Sequence, residues 1–363
     1  MILYLGSSHG IRANNPDSLK RLYKEAKSEK RQIELLLNIA NSYLFENNDS
    51  AELYSKIGLR ITQNKLYLKE RGEFLNCLGV ICVERCEYSK ALQFYINSEK
   101  VSKFIKDTNT TLSAMINIGH VYKLQGLEHI AIKQFKTALK LCINKKFDNK
   151  KGNIFTHLGS VFYSSGDKIK AKDYFEKALV IFKIHKDDFR VSEALNNLGV
   201  VYQDIGDFDS ALLNFKEYLS YTKKMNESHY LIIAYFNIAN LYQTQKIWDK
   251  AICFLDSSSR LAEKTRDFED LIEIYSAYSD IYKENKNFEK ALAFQVLMDA
   301  SKDTMLVRNK DKLIIEMATR YDTEKKEKEN EILRLKDEAN QAFILTSAIA
   351  ALILILLLLF IYF

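Results

Sequence analysis

An alanine recurs every 40 residues along most of the chain, and this spacing constrains the fold more than any other feature of the sequence. A mostly glycine column from Gly79 to Ser279 and a mostly aromatic column from Cys82 to Tyr282 keep the same step. Recurrence of small and aromatic residues at one fixed period predicts stacked copies of a single structural unit. The alanine column consists of Ala51, Ala91, Ala131, Ala171, Ala211, Ala251 and Ala291.

Each unit is predicted to be two helices joined by a short turn. The 363 residues include one Pro and twelve Gly, which is too little turn-forming material for a β-rich fold. Gly126, Gly166 and Gly206 occupy the turn column, where a left-handed helix C-cap is expected. Leu198 and Tyr202 share one helix face, and Gly199 beside them leaves room for a neighbouring helix to approach closely.

The units resemble the tetratricopeptide repeat. The segment "NLGVVYQDIGDFDSALLNF" contains L-G-x-x-Y, a turn Gly and A-x-x-x-F, although the period of 40 is longer than that family's usual 34 and the usual terminal Pro is absent. HEAT and armadillo repeats have a similar period, but they are not expected to place Gly, aromatic and Ala at these offsets. The resemblance implies an all-α fold: a tetratricopeptide superhelix of about seven helix-turn-helix repeats over residues 31–305, after a capping helix over 15–30.

The resemblance also implies a concave groove that binds a peptide or protein. In this family the position just before the L-G pair commonly faces the groove, where an Asn can bond an extended peptide backbone. Polar residues occupy that column and the positions one and two turns further along the helices. A solvated face, whose Asn side chains merely hydrogen-bond neighbouring helices, is an open alternative. The candidate site residues are Asn38, Asn117, His120, Lys123, His157, Tyr163, Asn197, Gln203, Asn237, Asn240 and Gln243.

Other function classes find little support in the sequence. The net charge of +6 is spread along the chain without a basic block, so nucleic-acid binding is not expected. No phosphate loop or hydrolase or metalloprotease motif occurs, and we expect neither enzymatic activity nor a cofactor. Cys82 and Cys86 lie four residues apart, but no His or Cys pair completes a metal-ligand pattern, so no metal site is predicted.

Two further segments follow the repeats. Residues 306–341 are rich in charges of both signs and predict a stalk helix, for which a dimeric coiled coil and a single charged helix both remain open. Residues 342–363 carry no charged side chain. Their length at about 1.5 Å per residue is close to the ~30 Å of a bilayer's hydrocarbon core, which predicts one C-terminal transmembrane helix, a lipid bilayer partner and single-pass membrane localisation.

A second resemblance concerns the whole order of segments. The phrase Y-x-T-E-K-K-E-K-E, matched by residues 321–329, is similar to the stalk of membrane-bound tetratricopeptide histidine kinases and helix-turn-helix regulators of Bacteroidota. It implies a periplasmic sensor domain and a signal peptide, of which residues 1–14 would be a remnant or a disordered segment. Lys and Arg before residue 342 instead place the repeats in the cytoplasm, so the orientation stays open.

The sequence thus predicts a membrane-anchored scaffold or sensor module that binds a protein or peptide and acts in signal transduction. Two alternatives remain. One is the sensory fragment of a truncated or split histidine kinase or transcriptional regulator, and the other is a tail-anchored cytoplasmic adaptor.

Overall fold

The computed structural model describes residues 16–44, 47–63, 65–143 and 147–362. The side chains of Lys65, of some residues between 312 and 338, and of 351–362 lie outside that description, and so does the predicted N-terminal remnant 1–14. A 3₁₀ turn spans Lys65–Tyr67. The α-helices are α1 Pro16–Glu25, α2 Glu29–Tyr43, α3 Asn48–Ile61, α4 Leu68–Glu84, α5 Tyr88–Phe104, α6 Thr108–Leu124, α7 Glu128–Leu139, α8 Asp148–Ser164, α9 Lys168–Ile184, α10 Asp188–Asp204, α11 Phe208–Met225, α12 Ser228–Thr244, α13 Trp248–Thr265, α14 Phe268–Glu284 and α15 Phe288–Tyr362.

The helices stack in chain order. Each helix from α1 to α13 packs against the next one. The even-numbered helices from α2 to α14 also contact one another in succession, α8 and α10 through the hydrogen bond from Tyr163 to Asp204. This arrangement buries a continuous core that no single helix pair could form alone. The prediction of an all-α repeat solenoid is confirmed.

A left-handed turn residue recurs every 20 residues, so each 40-residue unit contains two similar halves. At Gly126 the amide donates to Lys123 O at 2.9 Å, and the next amide, of Leu127, donates to Tyr122 O at 2.9 Å, which is the pattern of a Schellman cap. The predicted glycine turns are confirmed, and several non-glycine residues adopt the same conformation. The positive-φ residues are Cys86, Lys106, Gly126, Gly166, Lys186, Gly206, Asn226, Lys246, Arg266 and Lys286.

The glycine column makes room for aromatic rings. A Cβ atom on Gly119 would lie 2.6 Å from the Phe135 ring, and one on Gly159 would lie 2.7 Å from the Phe175 ring, closer than real Cβ contacts come. Both rings are fully buried. In these two pairs the first helix therefore meets the second at a distance that only a residue without a side chain permits.

The chain divides into two compact units, Met1–Ser301 and Lys302–Phe363. The second unit consists of the remainder of α15, whose described side chains are almost all exposed. The boundary expected between 305 and 306 and the dimeric coiled coil stay predictions. Several side chains of the predicted stalk 306–341 lie outside the described ones.

The prediction of a C-terminal transmembrane helix is wrong for the part of the chain that the structure describes, where no helix is long and apolar enough to cross a membrane. Charged residues recur in the sequence of α15 as far as Glu338, and the described uncharged apolar run is 342–350. Those residues span roughly 13 Å at about 1.5 Å each, less than half of a ~30 Å hydrocarbon core. Residues 351–363 of the predicted span lie outside the described side chains. The predictions of single-pass membrane localisation and of a lipid bilayer partner depended on that helix, so they are withdrawn for the described part of the chain.

Candidate functional site

A cavity of about 670 Å³ is lined mainly by the first helices of five successive pairs, α2, α4, α6, α8 and α10. We call this cavity the groove. Its volume lies within the ~300–1,000 Å³ typical of ligand sites. Side chains from α5 and α9 close part of its wall, including Tyr95 and Phe182. Polar lining residues include Asn41, Glu73, Asn76, Asn109, Thr110, Ser113, Asn117, His120, Lys150, Asn153, Thr156, His157, Asp187, Arg190 and Glu193.

The groove includes part of the column that the sequence indicates and also the column one helical turn before it. Glu73, Ser113, Asn153 and Glu193 lie four residues ahead of the position that precedes each L-G pair, and all four line the groove. The side chains of a helix tilt toward its N-terminus. Each side chain therefore covers the surface about one turn N-terminal to its own Cα atom. The lining accordingly extends toward the N-termini of the first helices.

Several polar atoms of the lining have no hydrogen-bond partner within the described part of the chain although they are buried. They are Oδ1 of Asn76, Oγ1 of Thr110, Nε2 of His120, Nδ1 of His157 and Oε1 of Glu193. Buried polar groups in proteins are nearly always hydrogen-bonded, and leaving one unpaired costs about 1–3 kcal/mol. The groove therefore presents a set of donors and acceptors suited to a polar ligand.

Burial favours the neutral forms of three groove side chains, His120, His157 and Glu193. Burial, and then the charge of Lys123, lowers the pKa of His120 to about 4. Burial lowers the pKa of His157 well below its ordinary value, and the His120 ring lies beside it with 5.5 Å between ring centroids. Burial raises the pKa of Glu193 to about 8, against the opposing charge of Arg190. Neutral groups of this kind bond amides without the desolvation cost of a charge.

The cations at the groove have partners in the protein. Nζ of Lys150 donates to Oγ of Ser113 at 2.5 Å, and burial lowers the pKa of that ammonium. Nε of Arg190 lies 3.6 Å from a carboxylate oxygen of Asp187. The polar atoms left without a partner are therefore mainly amide, hydroxyl, imidazole and carboxyl groups.

The predicted site residues divide into two groups. Asn117, His120 and His157 line the groove, whereas Asn38 is an exposed residue of α2 and its neighbours Leu37 and Asn41 line the groove instead. The other predicted residues lie outside the lining: Lys123, Tyr163, Asn197, Gln203, Asn237, Asn240 and Gln243.

Most of this second group bonds neighbouring first helices. Nε2 of Gln203 donates to Oδ1 of Asn240 at 2.7 Å, joining α10 to α12. Nδ2 of Asn237 donates to Oδ1 of Asn196 at 2.7 Å in the same junction. These bonds correspond to the alternative in which polar residues of the columns hold adjacent helices together.

The same pattern holds one repeat earlier. Nζ of Lys123 donates to Oγ of Ser160, joining α6 to α8. The hydroxyl of Tyr163 donates to Asp204 at 2.6 Å, and burial together with that carboxylate raises the pKa of the phenol. Asn197 is buried and Gln243 half-buried.

Sequence reasoning missed Asn76, Asn153, Lys150, Arg190 and Glu193. A signal for several of them exists, because residues 73, 113, 153 and 193 and residues 110, 150 and 190 keep the 40-residue step and are polar. Following the columns one turn backward, instead of forward, would have found them.

Comparison with known families identifies the repeat. Residues 150–224 match the family model of the tetratricopeptide repeat. Over this stretch, about a fifth of the chain, the sequence is similar to tetratricopeptide repeats. The predicted resemblance is thereby confirmed at the level of the repeat, and the similarity to Bacteroidota sensor proteins stays a prediction. No curated protein sequence matches the chain significantly.

Solved structures share the fold at low sequence identity. A Rap protein complexed with competence and sporulation factor aligns with a TM-score of 0.59 and 15% identity, covering 80% of both chains. Aspartyl phosphate phosphatase F from Bacillus subtilis aligns with a TM-score of 0.55 and 17% identity, covering 79% of this chain and 74% of that one. NprR in complex with its cognate peptide NprX aligns with a TM-score of 0.51 and 15% identity, covering 79% and 85%.

Proposed function

We propose that this tetratricopeptide protein is a binding scaffold whose groove holds an extended peptide segment of a partner protein. The observation that carries the proposal is the set of buried, unpartnered polar atoms on Asn76, Thr110, His120, His157 and Glu193 around one cavity. A peptide backbone supplies an N–H donor and a C=O acceptor at every residue and so can satisfy such a set.

Two comparison structures agree in kind with this proposal. The Rap protein is complexed with competence and sporulation factor, and NprR is in complex with the peptide NprX. At 15% identity these structures show only that the fold is shared. Peptide binding by this chain is our proposal. Action in signal transduction and the absence of enzymatic activity rest on the sequence and stay predictions.

The test begins by finding a ligand. A random-peptide phage library is selected on the full chain, and enriched peptides are synthesised with a fluorophore and titrated by fluorescence anisotropy. We expect Asn117→Ala to weaken binding by about tenfold, because it removes one donor and acceptor pair of the groove. Gln243→Ala is the matched control, since Gln243 belongs to the same predicted face but lies outside the groove.

Two results would contradict the proposal. One is a library that yields no enriched sequence on the folded chain. The other is a set of peptides that bind Asn117→Ala and wild type equally and remain bound when Glu193→Gln and His157→Ala are added, which would place the binding surface elsewhere.

A further inference from the structure

Three side chains outside the groove meet where α12 and α14 begin. His229 is the second residue of α12, Asp267 is the N-cap of α14, and Asp270 lies in the first turn of α14. Nδ1 of His229 lies 3.4 Å from Oδ2 of Asp267 and 3.3 Å from Oδ2 of Asp270. All three atoms lie within 4.8 Å of one another.

The local fold orients both carboxylates. Oδ1 of Asp267 accepts the backbone N–H of Asp270 at 3.3 Å as a helix cap, which leaves Oδ2 toward the imidazole. Asp270 is 7% exposed, and its Oδ2 accepts no hydrogen bond from the residues that the structure describes. The His229 imidazole, 3.3 Å away, is the cationic partner that the described residues offer this buried carboxylate, and a metal ion bound by all three side chains would replace that ion pair. The His229 side chain is 41% exposed, so an ion can approach the imidazole from solvent.

The spacing fits a metal ion held by short bonds. Zinc binds His nitrogen and carboxylate oxygen at about 2.0–2.2 Å in tetrahedral geometry, which places its ligand atoms about 3.3–3.5 Å apart. The two distances from Nδ1, 3.4 and 3.3 Å, agree with that separation. An imidazole ligand favours zinc and other first-row transition metals over magnesium and calcium, which prefer oxygen.

The trio is not part of the repeat pattern. Forty residues earlier, the corresponding positions hold Phe189, Glu227 and Tyr230. No other group of three His, Cys, Asp or Glu side chains comes together in this way in the described ranges. The stacking of the helices therefore does not require these residues.

We propose that His229, Asp267 and Asp270 bind one divalent transition metal ion of the Zn²⁺ type. The remaining coordination position is open to water, as in sites with three protein ligands. Because one ligand comes from α12 and two come from α14, the ion links the first helices of two adjacent repeats.

The test uses the full chain, purified without a histidine tag. Titration with ZnCl₂ by calorimetry is expected to give one ion per chain, and Co²⁺ is expected to give visible bands of a nitrogen and oxygen site without thiolate charge transfer. His229→Gln and Asp270→Asn should each weaken Zn²⁺ binding by at least about tenfold. His185→Gln is the matched control, because its Nε2 faces a single carboxylate, of Asp148, at 3.5 Å.

Circular dichroism of the metal-free variants confirms that they are folded, and the half-exposed His229 gives a milder change than the buried Asp270. Three results would overturn the proposal: no Zn²⁺ uptake by the wild-type chain, uptake that survives both substitutions, or a Co²⁺ thiolate band, which would assign the metal to exposed Cys86 or Cys253.

Discussion

Gly199 of α10 lies against the ring of Phe215 in α11, so closely that a Cβ atom at Gly199 would stand 2.5 Å from the ring. The next repeat solves the same contact differently. There the equivalent residues are Ala239 and Leu255, both buried, so a larger residue on the first helix faces a smaller one on the second. The two positions therefore share one fixed volume.

This relationship predicts that Gly199→Ala destabilises the protein by about 1–2 kcal/mol. Overpacking costs about 1–3 kcal/mol, and the better helix propensity of Ala offsets up to about 1 kcal/mol. The double variant Gly199→Ala with Phe215→Leu copies the Ala239–Leu255 pair. We therefore expect it to lose less free energy of unfolding than the two single variants lose together. Urea unfolding of the four proteins gives the coupling energy, and simple additivity would contradict the shared-volume argument.

A second prediction concerns the left-handed turn positions. Gly206 has φ of +83°, and a Cβ atom there would meet nothing within 4 Å, so a substitution at Gly206 tests backbone conformation alone. Lys246 adopts φ of +58° at the same place one repeat later. We expect Gly206→Ala to lower the free energy of unfolding by about 1 kcal/mol and Lys246→Gly to raise it by about 0.5–1 kcal/mol. Thermal and urea unfolding should give opposite signs; the same sign for both would exclude this explanation.

The repeat, the helix pairs and the glycine contacts could be predicted from the sequence because each depends on residues that recur. A column such as Gly119, Gly159 and Gly199 reports the same packing constraint several times over. The left-handed conformation at Lys186 or Arg266 was missed, since a non-glycine residue gives no local sign that the stack holds it at positive φ.

The candidate site could be predicted only in part. The column containing Asn117 and His157 was found, but its extension was followed toward the C-terminal turns, to Gln203 and Gln243, while the groove extends the other way. Helix periodicity alone identifies a face, and the side-chain tilt decides which turns of that face a cavity reaches. The contact of His229 with Asp267 and Asp270 could not be predicted from the sequence either, because it forms only where two repeats pack together.

A third prediction separates groove residues from junction residues. Oδ1 of Asn240 accepts a bond from Gln203, so Asn240→Ala should cost about 0.5–1.5 kcal/mol of stability and leave peptide affinity unchanged. Asn117→Ala should do the reverse, since Asn117 lines the groove. Anisotropy titration and urea unfolding of both variants check this. If Asn240→Ala weakens the peptide as much as Asn117→Ala does, the ligand occupies the whole polar column and not the groove alone.

A fourth prediction follows from the buried carboxyl of Glu193. Burial raises its pKa from an ordinary value of 4.5 to about 8. Between these two values the folded protein keeps a proton that the unfolded chain loses, so unfolding releases it and stability falls as pH rises from about 4.5 to 8. Below 4.5 both states are protonated, and the full contribution is present there.

Glu193→Gln removes this titration and should therefore be most favourable relative to wild type at high pH. As pH rises from 5 to 8, the wild type should lose stability relative to Glu193→Gln. The free energy of unfolding of the variant minus that of the wild type should rise by about 1.4 kcal/mol per pH unit, and by at most about 4 kcal/mol in all. Urea unfolding at both pH values measures it. Glu284→Gln is the control, because it makes the same chemical change at an exposed position outside the groove. Parallel pH profiles of wild type and Glu193→Gln would show that the Glu193 carboxyl is not held neutral by the groove.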